Sequence, residues 1–367
     1  MSDYRHMFFS SILHIPRKQW DTIWPFPSEG YDFYLSQETA NIADFEFSYL
    51  VIYNNDAVAL IAPIFITDFN FHLAMEGIVQ RAVKSIQRAW PNFLVVKTLF
   101  CGSFVSDKGV IAIHPDLQKD DALFGVFDRA LLEYAKTHGA KMVNLKDLEG
   151  PDVMIFKPLL KLGYAKSAAL PMATLPINFK SLEEYLAQLS HSTRKDLRRK
   201  IKRTDALGGF EVQEVNNVDP FIDDIYRLYL NVHIKNDGHF GLLTKEFFIN
   251  FCTNMPNETI FFLYWIKNGE GKRLIAFNFC LNRGDSLIDK FIGLDYVYSY
   301  DYNIYFMSFL ENVKWCLAHN KKAYVLNQGA YDIKKSLGAT MSPMDHMSKM
   351  VNPFINKIAV FFRGQSI

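Results

Sequence analysis

The sequence predicts an α/β protein of two tandem lobes, residues 1–170 and 171–367, each a mixed, mainly antiparallel sheet flanked by helices. Three observations predict it. Runs of strand-forming residues are joined across polar turns: FSYLVIY to AVALIAPIFI across Asn54-Asn55-Asp56, then IFFLYWIK, RLIAFNFCL and SLIDKFIGLD across Asn268–Lys272 and Asn282–Asp285. Each set is followed by a helix and a short apolar strand, the pattern of a meander with a helical crossover. The order then repeats. One half has a helix ending THGAK, the strand MVNLKDL, a short helix and LGY; the other has a helix ending AHNKK, the strand YVLNQG, a short helix and LGA. Residue identity hardly repeats, and the period is far too long for a solenoid.

Taken in order, the chain opens with a strand at Phe8–His14, a helix near Lys18–Trp24 and an aromatic loop, PFPSEGYDFYLSQE, read as packing or as one wall of a cleft with Tyr31 and Tyr34. After the first hairpin, Met75–Trp90 has helical spacing, with Arg81, Lys84 and Arg88 on one stripe. FLVVKTLF and Gly109–His114 are strands, and a helix runs from about Asp120 to His138, stopped by Gly139. SAALPMATLPI crosses into the second half. Ser181 to Glu184 has the spacing of a capping box, and Leu186, Leu189, Thr193, Leu197 and Ile201 form the seam of one or two amphipathic helices. FEVQEV is a strand, Pro220–His233 and Thr244–Thr253 are helices, and KNDGHFG is a polar loop. In RLIAFNFCL, Ile275, Phe277 and Phe279 alternate with Ala276, Asn278 and Cys280, as in a strand with one buried face. A helix from about Tyr302 to His319, with Asn320 as its stop, leads into the last short strand.

Composition bounds the function. With 40 Lys plus Arg against 39 Asp plus Glu, the chain as a whole is not a nucleic-acid coat. Cys101, Cys252, Cys280 and Cys316 have no CxxC spacing and read as reduced core thiols of a cytoplasmic protein. Ten histidines show no HExxH or similar spacing, so no metal site is expected. No Walker loop or dinucleotide fingerprint occurs. The first residues have too short an apolar run for a signal peptide, and no run is long enough to span a bilayer; peripheral membrane contact stays open.

The basic run LSHSTRKDLRRKIKR, the strand FIGLD and the segment GAYDIKKSLG make the chain resemble the GNAT-like transferases grouped with the peptidoglycan Fem-type enzymes. The resemblance covers about half the chain and implies tandem GNAT-like lobes and transfer of an acyl or aminoacyl group from a thioester or ester donor to a small-molecule amine. The co-substrate it implies is acyl-coenzyme A or an acyl carrier protein thioester, with aminoacyl-tRNA as the Fem-type alternative and no tightly bound cofactor. A non-catalytic binding protein on the same fold is the third reading. The glycine loop with which GNAT enzymes hold the coenzyme A pyrophosphate falls at DYVYSYDYN (Asp295–Asn303), which contains no glycine.

Transfer to an amine requires a positioned nucleophile, a proton acceptor and oxyanion donors. Asp289 on the central strand, Asn327 and Gln328 at the next strand's end, and Lys334 on the short helix are the candidate catalytic groups. Lys290 and Asp295 share that strand. Candidate donor- or substrate-binding residues are Arg194, Lys195, Arg198 and Lys202, suited to phosphate, with Asp237, His239, Tyr302 and Tyr331.

Overall fold

The computed structural model describes residues 3–25, 29–74, 77–106, 108–235, 241–269 and 271–357. Its strands are β1 (Tyr4–Phe9), β2 (Glu46–Asn54), β3 (Ala57–Asn70), β4 (Val95–Cys101), β5 (Ala112–Ile113), β6 (Met142–Leu148) and β7 (Ala165–Pro176), then β8 (Glu211–Val215), β9 (Thr259–Asn268), β10 (Gly271–Arg283), β11 (Ser286–Leu294), β12 (Ala323–Asn327) and β13 (Thr340–Met350). Among the described residues they form one mixed sheet in the order β1-β2-β3-β4-β6-β13-β7-β12-β11-β10-β9-β8, with β5 on β3.

Each half is an antiparallel meander that ends in a single parallel pair. Helix Asp121–Thr137 carries the chain from the first meander to β6, which runs parallel to β4. Helix Ile304–Ala318 carries it from β11 to the parallel β12. The two crossovers match in detail. Gly139 and Asn320, at φ 73° and 52°, end the two helices in the left-handed conformation. Ala140 N–H then reaches Ala135 O at 2.8 Å, and Lys321 N–H reaches Cys316 O at 2.9 Å. His138 stacks on Tyr134 and His319 on Trp315, both with ring centroids 3.9 Å apart. The short helices close alike: Tyr164 N–H bonds Leu159 O, and Ala339 N–H bonds Lys334 O. So similar a set of caps from dissimilar residues reflects one backbone solution used twice.

The halves are not separate sheets. β7, which ends the first half, pairs with β12 of the second, while β13, which ends the second, pairs with β6 of the first; β7 and β13 pair with each other. Residues 170 and 171 therefore lie within a strand shared by both halves. One apolar core also spans both, where helix Tyr31–Glu38 meets helix Lys245–Asn254 and Phe33 packs on Phe251 with centroids 5.6 Å apart.

Several local expectations change. The aromatic loop after Pro25 contains the helix Tyr31–Glu38, anchored by Arg17 on Asp32; Tyr31 and Tyr34 are buried against Trp20, and Tyr31 also borders a small pocket with Arg17 and Asn254. Burial of its aromatic face outweighs the loop-like composition. The first strand ends at Phe9, and the strand expected at Gly109–His114 is only Ala112–Ile113. β10 is buried on both faces, with every residue from Leu274 to Leu281 buried, because helices cover both sides of the sheet. Four cysteines are free and buried, and burial raises the Cys101 thiol pKa.

Candidate active site

The parallel pairing of β11 with β12 lasts only from Ser286–Ala323 to Ile288–Val325. Beyond it the strands part. Opposite this point β11 bulges: Cys280 of β10 faces Asp289, Phe279 faces Phe291, and Lys290 is the extra residue. A bulge bends the strand and brings successive side chains towards one opening. The opening is a cavity of about 400 Å³ lined by Asp289, Lys290, Tyr305, Asn327, Gln328 and Lys334, among others. The first half supplies Phe104 and Val105, and helix Ile222–Lys235 supplies Tyr229 and His233. That helix lies close on β11 because residue 293 is glycine. A Cβ there would come within 2.1 Å of the Phe277 ring and 2.9 Å of the Leu228 backbone.

Asp289 is held from behind by a buried polar chain. Its carboxylate accepts from Asn278 Nδ2 at 2.7 Å and from Tyr324 Oη–H at 2.9 Å. Asn312, on the crossover helix, donates in turn to Asn278 Oδ1 and to Tyr324 Oη. Burial raises the Asp289 pKa, and the two donors only partly offset it. The result is a carboxylate fixed in place with more proton affinity than an exposed one. The Tyr305 hydroxyl pKa is pushed up to about 12, first by burial and then by Asp289, and among the described residues that hydroxyl has no hydrogen-bond partner.

Lys290 points to the opposite wall. Its ammonium donates to Val105 O at 3.0 Å and lies 3.5 Å from Glu29, which also takes Arg283 at 3.0 Å. Burial works to raise the Glu29 pKa, but Arg283 and Lys290 outweigh it and Glu29 stays ionised. Lys290 is thus a strut between the halves. Asn327, in the left-handed conformation at φ 58°, sends Nδ2 across the gap to Asp289 O, while its buried Oδ1 has no hydrogen-bond partner among the described residues. Gln328 Nε2 donates to Asp147 Oδ1 at 3.1 Å and Leu170 O at 3.0 Å, tying the strand end to the first half. Lys334 Nζ reaches three carbonyls in a row, Leu326 at 2.6 Å, Asn327 at 3.1 Å and Gln328 at 2.9 Å. Burial lowers its pKa to about 8, against the pull of Asp289.

The register places Cys101 where the second half has Asp289, and the matching caps place Leu159 where it has Lys334. The first half fills both positions with buried, chemically inert residues. The polar constellation therefore belongs to the second half.

All four candidate catalytic residues line the cavity. The candidate binding residues divide. Tyr302 and Tyr331 do not line it: Tyr302 Oη reaches Leu207 O at 3.4 Å, and Tyr331 Oη donates to Pro171 O at 3.0 Å. Of the tyrosine-rich segment, it is Tyr305 that reaches the cavity, because the crossover helix starts at Ile304 and turns this residue inward. Asp237 and His239 lie outside the described residues. The segment from Leu182 forms two helices, Leu182–Gln188 and His191–Ala206, and the basic run lies in the second. The second lies beside the entry to the crossover helix: Lys200 Nζ sits 4.3 Å over the Phe306 ring, Arg203 pairs with Asp301 at 2.6 Å, and Thr204 Oγ1 donates to Tyr302 O at 2.8 Å. Arg194 bonds Ala187 O at 3.1 Å, and Arg199 and Lys200 share Asp196. Lys195, Arg198 and Lys202 make an exposed stripe with no ion pair among the described residues. Tyr305 and the supports Asn278, Asn312 and Tyr324 went unread in the sequence. A polar Asn278 inside an apolar strand was the available signal.

An antiparallel meander whose last strand is joined by a crossover helix to a parallel partner, repeated in tandem, makes this a GNAT-like fold, with the bulge and the carboxylate at the gap in the second half alone. The chain belongs to the FemAB-like family, described as peptidoglycan biosynthesis/recognition, which matches residues 164–352, just over half of it. The fold is similar to the crystal structure of FemX (TM-score 0.56, 12% identity, covering 94% of this chain and 96% of that one). It is also similar to a tandem GNAT protein from the clavulanic acid biosynthesis pathway (TM-score 0.56, 9% identity, 96% and 99%). A third similar structure is the C-terminal domain of a putative lysylphosphatidylglycerol synthetase from Agrobacterium fabrum (TM-score 0.53, 10% identity, 96% of each chain). No curated protein matches the sequence significantly.

Proposed function

We propose that the protein is an N-acyltransferase that moves an acyl or aminoacyl group from a thioester or ester donor to an amine in the cavity between β11 and β12. The observation that carries this reading is Asp289, a carboxylate of raised pKa fixed where the parallel strands part. In this scheme the amine nitrogen attacks the donor carbonyl carbon and Asp289 takes the proton it sheds. The tetrahedral oxyanion then collapses, breaking the bond to the leaving sulfur or oxygen, which takes up a proton from Tyr305 or Asp289. Lys334 holds the end of β12 in shape through three carbonyls and adds positive charge to the cavity wall.

The aminoacyl-tRNA version of this reaction is favoured by two observations. The segment Asp295–Asn303 has no glycine with which to cradle a pyrophosphate, and the unpaired Lys195, Arg198 and Lys202 stripe lies on the helix beside it. Membership of the FemAB-like family agrees with it. The test is incubation with acyl-coenzyme A, acyl carrier protein thioester or aminoacyl-tRNA and a panel of amines, with products read by mass spectrometry. Transfer from one donor that disappears in Asp289→Asn supports the proposal. Ligand retention without transfer from any donor would make the protein a binding module instead.

A further inference from the structure

Where the second half turns from β10 to β11 through Asn282–Asp285, the first half leaves β3 at Asn70 and returns to β4 only at Val95, with the helix Gly77–Ala89 between. Projected at about 3.6 residues per turn, Ile78, Ala82, Ile86, Ala89 and Trp90 share one sector, and Arg81, Lys84 and Arg88 another. Gln80 and Gln87 lie between them, beside Val83. An amphipathic helix on a globular body ordinarily turns its apolar sector inward. This one does the reverse. Among the described side chains Val83 is its buried contact, and the glutamine edge is clamped to the body. Gln87 Nε2 donates to Asn70 Oδ1 at 2.8 Å and Phe93 O at 2.7 Å, Gln87 Oε1 meets His72 Nδ1 at 2.9 Å, and Gln80 Nε2 donates to His72 O at 3.2 Å. The apolar sector is left in solvent: Ile78 is 77% exposed, Ile86 44% and Trp90 62%.

We propose that this helix docks on an anionic lipid bilayer, apolar sector down. The sector would enter the boundary between headgroups and acyl chains, with Trp90 at its edge, while the basic flank meets the lipid phosphates. Charge complementarity selects this occupant. The helix carries three basic residues and no acid, and Arg81 and Arg88 are exposed. Long basic side chains flanking an apolar strip reach headgroups while their stems stay in the interface. A second copy of the same face would bring two basic flanks together, which disfavours self-association. The inference does not rest on the proposed transfer reaction.

The experiment is co-sedimentation of the full chain with vesicles of phosphatidylcholine alone or mixed equally with phosphatidylglycerol, at low and high salt. The expected result is binding to the anionic vesicles, weakened by salt and weak on the neutral ones. Ile86→Asn with Trp90→Asn should lose most of the binding, and Arg81→Gln with Arg88→Gln should weaken it roughly fivefold per charge removed. Both pairs alter exposed side chains, so melting curves should stay near that of the parent; should the apolar pair fail to fold, the arginine pair and the salt titration still decide. Failure of the folded parent to bind anionic vesicles, or binding unchanged by either pair, overturns the proposal. So does a dimer, seen by analytical centrifugation without vesicles, that the apolar pair dissolves, which would make the occupant a second copy.

Discussion

Tyr324→Phe removes one hydroxyl from behind the candidate base and leaves the cavity wall otherwise unchanged. That hydroxyl donates to Asp289 Oδ2 at 2.9 Å and accepts from Asn312 Nδ2 at 2.6 Å. The donated bond stabilises only the ionised carboxylate, so its loss raises a pKa that burial has already raised. A hydrogen bond to a charged group contributes about 1.5–3 kcal/mol, and one pH unit corresponds to about 1.4 kcal/mol, so the Asp289 pKa should climb by about 1–2 units. Asn278 remains as the second donor, and Asn312 keeps Asn278 Oδ1 as an acceptor. The fold should therefore lose only about 1–2 kcal/mol. If Asp289 is the proton acceptor, the acid limb of kcat/KM moves to higher pH by the same 1–2 units. The plateau above it should stay within a few-fold of the parent. The assay is a pH profile of transfer with one competent donor–acceptor pair, with the Asp289 carboxyl titrated in parallel by carbon NMR as a readout independent of turnover. An acid limb that stays in place or moves to lower pH, together with an active Asp289→Asn, would remove Asp289 from the chemistry.

Three further predictions follow from the same geometry. Lys334 has its pKa lowered to about 8 by burial, so between about pH 8 and its ordinary value near 10.5 the unfolded chain holds a proton that the folded chain has released. Stability should rise with pH across that window by up to about 3 kcal/mol in the parent relative to Lys334→Met, measured by urea unfolding at several pH values; parallel curves would contradict it. Asn327 sits at φ 58°, which glycine adopts freely and alanine resists. Asn327→Gly should therefore melt higher than Asn327→Ala, the gap amounting to about 1 kcal/mol, while both lose the strut to Asp289 O and most of their turnover. Arg198→Glu with Lys202→Glu should leave melting unchanged and weaken binding of a phosphate-bearing donor, with a reduced dependence on salt; binding equal to the parent at low salt would make the helix a solvated face.

The sequence alone determined the tandem order of elements, because hairpin turns, helix stops and apolar periodicity are local. THGAK and AHNKK announce the same helix cap through different residues, Gly139 and Asn320, and both adopt it. The sequence also singled out Asp289, Asn327, Gln328 and Lys334 as candidates, polar groups on or beside apolar strands, and the fold brings all four to one cavity. Tertiary structure decided the rest. Pairing partners are not written locally, so the exchange of β7 and β13, which fuses the halves into one sheet, could not be read from either half. Nor could the bulge at Lys290, which depends on the register with β10 and opens the cavity. Tyr305 rather than Tyr302 lines that cavity because a helix start set by long-range packing turns one tyrosine inward and the other towards the basic helix. Asn278, Asn312 and Tyr324 come from three elements far apart in the chain, and only folding brings them together behind Asp289. The amphipathic pattern of Gly77–Ala89 was visible in the sequence, but the face it turns outward was fixed by a few hydrogen bonds from Gln80 and Gln87 to His72, Asn70 and Phe93. Periodicity defines the faces of a helix, and the body it leans on decides which of them meets water.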